Sequence, residues 1–296
     1  MEWPFLGTEA VAAGAVNRYQ LATRHDQLFR NVYVPKGAEP SPVDKAVGAW
    51  LWSGRRAIPA GLSAAALHGA EWIDPTSPAE LNQPSRFKTT GILLHSDTLA
   101  PEEICRVGGI PVTTPARTAY DLGRRPGTTT AVIRLDALMQ ATGLKPADIA
   151  LTADRHRGAR GIIDLRAAIE LSDPGAESPQ ETRTRLVLTS VGLRPTHTQI
   201  EVYDGFGFVA RIDMGWPAWQ VGVEYDGTQH WTDARVRNRD IDRQAELERL
   251  GWRIIRVNAD LLRHRPAVLI GRVRAALLCA GANVNSCATS GRKLAR

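Results

Sequence analysis

The stretch that most narrows what this chain can fold into starts at the breaker Ser172-Asp173-Pro174-Gly175 and runs to about residue 280. Proline and glycine together stop a helix there, and the element types that follow change at short intervals. The apolar spacing predicts a helix over about 179–191 and strands over about 199–202, 208–214 and 221–226, then a helix over about 233–250, a strand over 252–258 and a last helix. Tight turns at Tyr203-Asp204-Gly205 and Gly215-Trp216-Pro217 join the first three strands into a meander. The helix between the third and fourth strands allows those two to run parallel, because a parallel pair needs a crossover connection. An α/β class, α+β for the whole chain, is expected, with a central mixed sheet flanked by helices in residues 176–280.

Ahead of the breaker the signals are quieter. Two short helical patterns, Ala10, Val11, Ala13 and Val16 before Asn17 and Leu21 after it, lead into an extended run from Phe29 to Val34. Helix, turn, helix and wing is the expectation for residues 1–40, closed by the Pro/Gly-rich stretch from Pro35 to Pro42. A mixed α/β region is expected over 41–127. Helical spacing at Val132, Leu135, Leu138, Met139, Ile162, Leu165, Ala168 and Ile169, broken by Arg155-His156-Arg157-Gly158, predicts a helical connector over 128–175. Residues 281–296 lack periodicity and are expected to form a disordered tail.

The chemistry concentrates in the later region. Glu224 and Asp226 lie two apart on a strand, so both carboxylates leave the same face. Like charges this close need a cation, a proton or several donors, and hard oxygen ligands suit Mg²⁺ or Mn²⁺. Asp213, on the neighbouring strand, is the third expected metal ligand with Glu224 and Asp226. An ion held there polarises a phosphate oxygen and lowers the pKa of bound water. Each residue also has a plainer reading. Glu181 follows Ser178-Pro179 in a capping box, the more economical account of it, and stands beside a role in the metal chemistry. Asp213 alone reads as a strand-end residue, and Asp226 before Gly227 as a turn. Glu224 resists the plainer reading, because a carboxylate inside the apolar run Val221-Gly-Val is costly without a partner. His230 fits a general base, a ligand relay or a surface histidine. Asp240 and Arg243 are three apart on a helix, which suits an intrahelical ion pair first and a phosphate clamp by Arg243 second.

Charge and cysteine content bound the setting. A formal charge of +6 with a pI near 9.5 favours a polyanionic partner, modestly for 296 residues. Cys105, Cys279 and Cys287 form no CxxC pattern, which fits a reducing cytoplasm. No basic leader and no apolar run of the ~20 residues a span needs is present, so neither export nor membrane insertion is expected.

Two family resemblances follow from these residues. Arg211-Ile-Asp213, Val221-Gly-Val-Glu224-Tyr-Asp226-Gly-Thr-Gln-His230-Trp, Asp240, Arg243 and Leu250-Gly-Trp-Arg-Ile-Ile-Arg256-Val together resemble a bacterial endonuclease-like family related to very-short-patch mismatch repair endonucleases. That family lies in the restriction-endonuclease-like superfamily, and the likeness spans roughly Glu177 to Ala280. It implies that Glu181, Asp213 and Glu224 hold Mg²⁺ and activate water. The superfamily's lysine is absent and Asp226 stands in its place, so the resemblance supports a metal site better than lysine-assisted water activation; His230 is the residue placed to share that task. The front of the chain resembles AbiEi-type antitoxins of type IV toxin–antitoxin systems, through Phe29-Arg-Asn-Val-Tyr33-Val-Pro, Ala64-Ala-Ala-Leu-His68-Gly and Val112-Thr-Thr-Pro-Ala-Arg117-Thr-Ala-Tyr-Asp121-Leu. It implies a winged helix on DNA with positioning contacts from Arg18, Arg24 and Arg30, although each of these also reads as part of a solvated face.

The function expected is a Mg²⁺-dependent (or Mn²⁺-dependent) DNA endonuclease in the cytoplasm, with the N-terminal region holding the substrate and RNA as a second possible nucleic acid. The competing expectation is a non-catalytic, antitoxin-like DNA-binding regulator with a cognate toxin, its last domain a nuclease fold without the activity.

Overall fold

The computed structural model of the chain describes residues 3–84, 89–125, 127–227 and 234–283. The chain divides into two compact units, Met1–Pro174 and Gly175–Arg296.

The first unit opens with strand β1 (Phe5–Leu6), helices α1 (Gly7–Ala12) and α2 (Arg18–Arg24), and the hairpin β2 (His25–Phe29) and β3 (Val32–Pro35). Asn17 starts α2 because its side chain accepts from the Gln20 amide while Gln20 answers at the Asn17 amide, at 2.8 and 2.9 Å. Sheet order is β1-β3-β2, and the expected wing begins earlier than Phe29, at His25. Helix α3 (Pro42–Trp52), entered through a Ser41–Asp44 capping box, packs against this sheet. Phe29, Val32, Ala49 and Leu51 share one buried cluster with Leu81 and Ile92.

Strand β4 (Ile58–Pro59), helix α4 (Gly61–Leu67) and strands β5 (Ala79–Asn82) and β6 (Ile92–His95) follow, and then the hairpin β7 (Ile104–Val107) and β8 (Ile110–Thr113). Helices α5 (Pro115–Arg124), α6 (Thr128–Thr142), α7 (Pro146–Arg155) and α8 (Ile162–Leu171) complete the unit. The helices expected to connect domains are instead part of this core, with α6, α7 and α8 all packed on α5. Leu135, Leu138, Ile149 and Leu165 are fully buried, and a Cβ at Gly123 of α5 would lie 2.3 Å from Leu165 Cδ1. Helical periodicity shows that a face is apolar; the helix that covers it lies earlier in the chain.

The second unit runs α9 (Pro179–Thr189), β9 (His197–Tyr203), β10 (Phe208–Trp216), β11 (Val221–Tyr225), α10 (Ala234–Arg249), β12 (Arg253–Val257), α11 (Ala259–His264) and α12 (Pro266–Cys279). Its sheet has the order β12-β11-β10-β9, antiparallel except for β11 and β12, which run parallel with α10 between them. Both faces are covered, which explains the apolar run Val221-Gly-Val in β11 and the adjacent Ile254 and Ile255 in β12. Met214, Trp216, Val221, Val223, Ile255 and Val257 pack with Leu188 of α9, Leu261 of α11 and Leu269 and Val273 of α12. Ala210 and Ile212 pack instead with Leu247 of α10 and Trp252. Gly215 pairs with Gly222, and a Cβ at Gly215 would come within 2.3 Å of the Val221 carbonyl oxygen, so glycine is what lets β10 and β11 approach there.

Candidate active site

The site lies where β10 and β11 part. The last paired residues toward that end are Met214 and Val223. One step further, the same antiparallel register sets Asp213 opposite Glu224, which brings the two expected carboxylates together. Asp213 Oδ2 accepts the backbone N–H of Tyr225 at 2.7 Å, so a side chain stands where a strand carbonyl would serve in a regular ladder.

The break in regularity has a local cause. Ile212 and Met214 are two apart and would share a face on a flat strand, yet they belong to opposite sides of the sheet. Asp213 is the residue between them. Across β9 the paired neighbours are Ile212 with Ile200 and Met214 with Thr198, and between these partners Gln199 has φ +49°. A non-glycine residue there is strained by about 1 kcal/mol or more, and such strain gathers at functional positions. The Gln199 side chain donates from Nε2 to Glu181 Oε2 at 3.1 Å. Nothing in the sequence marked Gln199, because a polar residue in a half-buried strand carries no sign of its φ.

Glu181 is held by its helix start. Ser178 Oγ donates to Oε1 at 2.8 Å, the Glu177 amide donates to Oε2 at 2.9 Å, and the Glu181 amide returns to Ser178 Oγ at 3.2 Å. The capping reading therefore describes its hydrogen bonds. Its charge is nonetheless felt at the site. Burial pushes the Asp213 carboxyl up, the Tyr225 amide opposes this, and the Glu181 and Glu224 charges add to the rise, giving a pKa of about 7. Burial likewise raises Glu181 above the usual carboxylate range.

Glu224 is 7 % exposed and has found the partner its position demands. Arg243, on α10, donates Nη1 to Oε1 and Nη2 to Oε2, both at 2.9 Å, a two-pronged charge-assisted pair. The expected intrahelical pair is present too, with Arg243 Nη2 3.0 Å from Asp240 Oδ1. Asp240 also takes Arg256 Nη2 at 2.7 Å on its other oxygen, and Arg256 stands in register beside Glu224 on the parallel strand β12. Burial alone would raise Asp240, but the two guanidiniums hold it below the usual range. Arg256 carried the same signal as Glu224, a charge inside an apolar strand, although nothing in the sequence said which charge it would meet.

Asp226 lies just past the end of β11, with its amide donating to the Val257 carbonyl at 2.7 Å. It lines a cavity of about 170 Å³ with Glu224, Tyr225, Gly227, Asp240, Arg243 and Arg256. His230 lies outside the described residues. Among the described residues no three His, Cys, Asp or Glu side chains are gathered as a ligand group. The reason is visible in the contacts. Glu224 spends both oxygens on Arg243, Asp213 spends one on Tyr225, and Asp226 leaves the regular strand. The donor chemistry fits a divalent ion on the pair Asp213 and Glu224, since Mg²⁺ is commonly held by one or two carboxylates and fills its other positions with water and phosphate oxygen.

In the first unit, Arg18 and Arg24 are exposed on α2 and Arg30 is exposed at the tip of the β2–β3 hairpin. Tyr19 beside them is 76 % exposed. Two side chains of the antitoxin-like motifs make contacts inside this unit. His68 Nε2 meets the Thr113 carbonyl at 2.8 Å, and Arg117 pairs with Asp121 at 3.1 Å. No helix among the described residues is long and apolar enough to cross a membrane.

Comparison with known proteins divides the chain in the same way. Residues 181–277 match the restriction-endonuclease-like family model REase_MTES_1575, and residues 58–171 match the AbiEi antitoxin C-terminal domain. The uncharacterized proteins MT2308 and Rv2248 of Mycobacterium tuberculosis, strains CDC 1551 / Oshkosh and ATCC 25618 / H37Rv, are each similar to this chain, 28% identical over 248 residues that cover 83% of it and 90% of them. No solved structure matches. The chain thus carries one region similar to the AbiEi antitoxin C-terminal domain and, after it, one similar to a restriction-endonuclease-like family, the latter including Asp213, Glu224 and Arg243.

Proposed function

We propose that the second unit is a divalent-metal-dependent endonuclease acting on DNA, and that exposed arginines of the first unit help to hold the duplex. The observation that carries this reading is the convergence of Asp213 on Glu224 where two strands separate, inside a region that matches a restriction-endonuclease-like family. In it, Asp213 and Glu224 would hold Mg²⁺ or Mn²⁺, which would supply Lewis-acid polarisation and lower the pKa of water. The chain's own residues do the rest. Asp213 fixes the strand end through Tyr225, Glu181 and Gln199 brace that end, and Arg243 and Arg256 present guanidiniums to a phosphate at the cavity wall. Asp226 cannot give the proton-handling and positive charge of a lysine, which makes a slow nuclease the expectation.

The AbiEi match favours a second reading, a DNA-binding regulator of the antitoxin kind, with a toxin as partner and no cleavage. One experiment separates the two. Plasmid nicking and duplex binding are followed in Mg²⁺, in Mn²⁺ and in chelator, for the wild type and for Asp213→Asn with Glu224→Gln. Metal-dependent nicking that falls at least ~100-fold in the double variant, with folding intact, supports the nuclease; removal of such transition-state charge stabilisation is typically of this size. Nicking equal in both proteins, or none in either with salt-sensitive binding that persists in chelator, overturns it in favour of the regulator.

A further inference from the structure

Arg243 occupies both oxygens of Glu224, the same two a cation would need. Its remaining anchor is Asp240, which is itself fixed from the other side by Arg256. If Arg243 left Glu224, it would keep one ion pair and stay at the wall of the cavity that Glu224, Asp240 and Arg256 share with it. Around this cavity the carboxylates Glu224, Asp226 and Asp240 outnumber the guanidiniums Arg243 and Arg256, and Asp213 stands close by. Without a cation, a phosphodiester approaching these lining side chains meets more carboxylates than guanidiniums, and a dication must displace Arg243 from Glu224.

We propose that Arg243 is an exchangeable counter-ion, bound to Glu224 in the metal-free protein and passed to a phosphodiester oxygen when a divalent cation takes Glu224, so that cation and nucleic acid bind cooperatively. This rests on the metal-dependent reading of the site given above. Each ligand removes the obstacle to the other. The cation frees a guanidinium whose planar fork suits phosphate as well as carboxylate, and the phosphate keeps that guanidinium from returning to Glu224. By linkage the coupling is reciprocal. Asp240 is the positioning residue, which retains Arg243 at the cavity in both states. Arg256, held by Asp240 on a rigid strand, is the fixed part of the anion seat.

The test is calorimetric titration of the full-length protein with Ca²⁺ and with Mg²⁺, with and without a saturating short DNA duplex, so that binding is read independently of cleavage. In the wild type the duplex tightens cation binding roughly tenfold, within the usual range of such couplings. In Arg243→Gln the cation binds several-fold more tightly than in the wild type without duplex, and the duplex adds no more than about a further twofold, since the coupling is gone. Arg243→Lys, which keeps charge and helix propensity but cannot clamp both oxygens, falls between them and serves if the glutamine variant does not fold. Cation binding that is lost in Glu224→Gln but unchanged in Arg243→Gln, or a wild type without coupling, overturns this proposal alone. A wild type that binds no cation overturns it together with the nuclease reading.

Discussion

Each unit holds a half-buried knot of paired charged side chains, and they differ in one carboxylate. In the first, Arg117 is 2 % exposed and meets Glu103 at 2.8 Å and Asp121 at 3.1 Å, while Arg124 and Arg125 bind Asp97 at 3.2 and 2.6 Å and His156 meets Glu103 at 2.6 Å. Burial would raise Glu103 and Asp97, yet His156, the Ala100 amide and Arg117 at the one, and the three arginines at the other, hold both below the usual carboxylate range. In the second unit, Asp213 lies among carboxylates and is pushed up to about 7. In the first network every carboxylate is answered by a positive charge, although Arg124 Nε is buried without a hydrogen-bond partner among the described residues and the cluster lines a cavity of about 510 Å³. The second leaves one carboxylate poised between protonation states, the condition in which a buried site responds to an incoming cation.

That contrast can be broken most forcefully in the first unit. Arg117→Met removes the shared counter-charge of Glu103 and Asp121 and should destabilise the protein by about 3–5 kcal/mol, the usual cost of leaving a buried charge unpaired. Urea unfolding followed by circular dichroism measures it, and a loss below ~1 kcal/mol would mean that this network is far wetter than its burial indicates.

A smaller effect, of opposite sign, is expected at Asp213. A carboxyl whose folded pKa lies above its unfolded value binds more protons in the native state, so it lowers stability as pH rises from about 4 toward 7. Asp213→Asn keeps an acceptor for the Tyr225 amide and removes the titration. Without added metal it should be more stable than the wild type by a few kcal/mol at pH 8, and should lose that advantage below about pH 4. Thermal melts across that range are the measurement, and a stability difference independent of pH would remove Asp213 from the poised role.

The smallest effect belongs to the helix start. Ser178→Ala should cost about 1 kcal/mol, as N-cap losses do, and more where Glu181 is ionised than where it is protonated, because the hydroxyl donates to that carboxylate and holds its pKa down. A loss that is the same at every pH in the same melts would show that Ser178 serves the end of α9 and not Glu181's charge.

These differences also mark what could be read from the chain before it folded. The strand order was legible, and so was Glu224 as a site residue, because turn residues and a carboxylate in an apolar run are statements about neighbours close in sequence. The partner of Glu224 was not. It is set by the β11–β12 register and by the face that α10 turns to the sheet, and local spacing at Asp240 and Arg243 is satisfied by their own pair whether or not Glu224 is near. The same limit applies to residues 128–171, whose periodicity announced a buried face and left open that α5 covers it. Of the expected ligands, Asp226 falls where the strand has already ended, a matter of one residue that no pattern resolves.

The crossover from β11 through α10 to β12 has one more consequence. Asp213, Glu224, Asp240, Arg243 and Arg256 follow one another along the chain within the second unit. A centre gathered in this way travels intact through recombination: it can be cut out and spliced behind a different leading unit as a single block, and its ancestry need not be that of the segment which now precedes it.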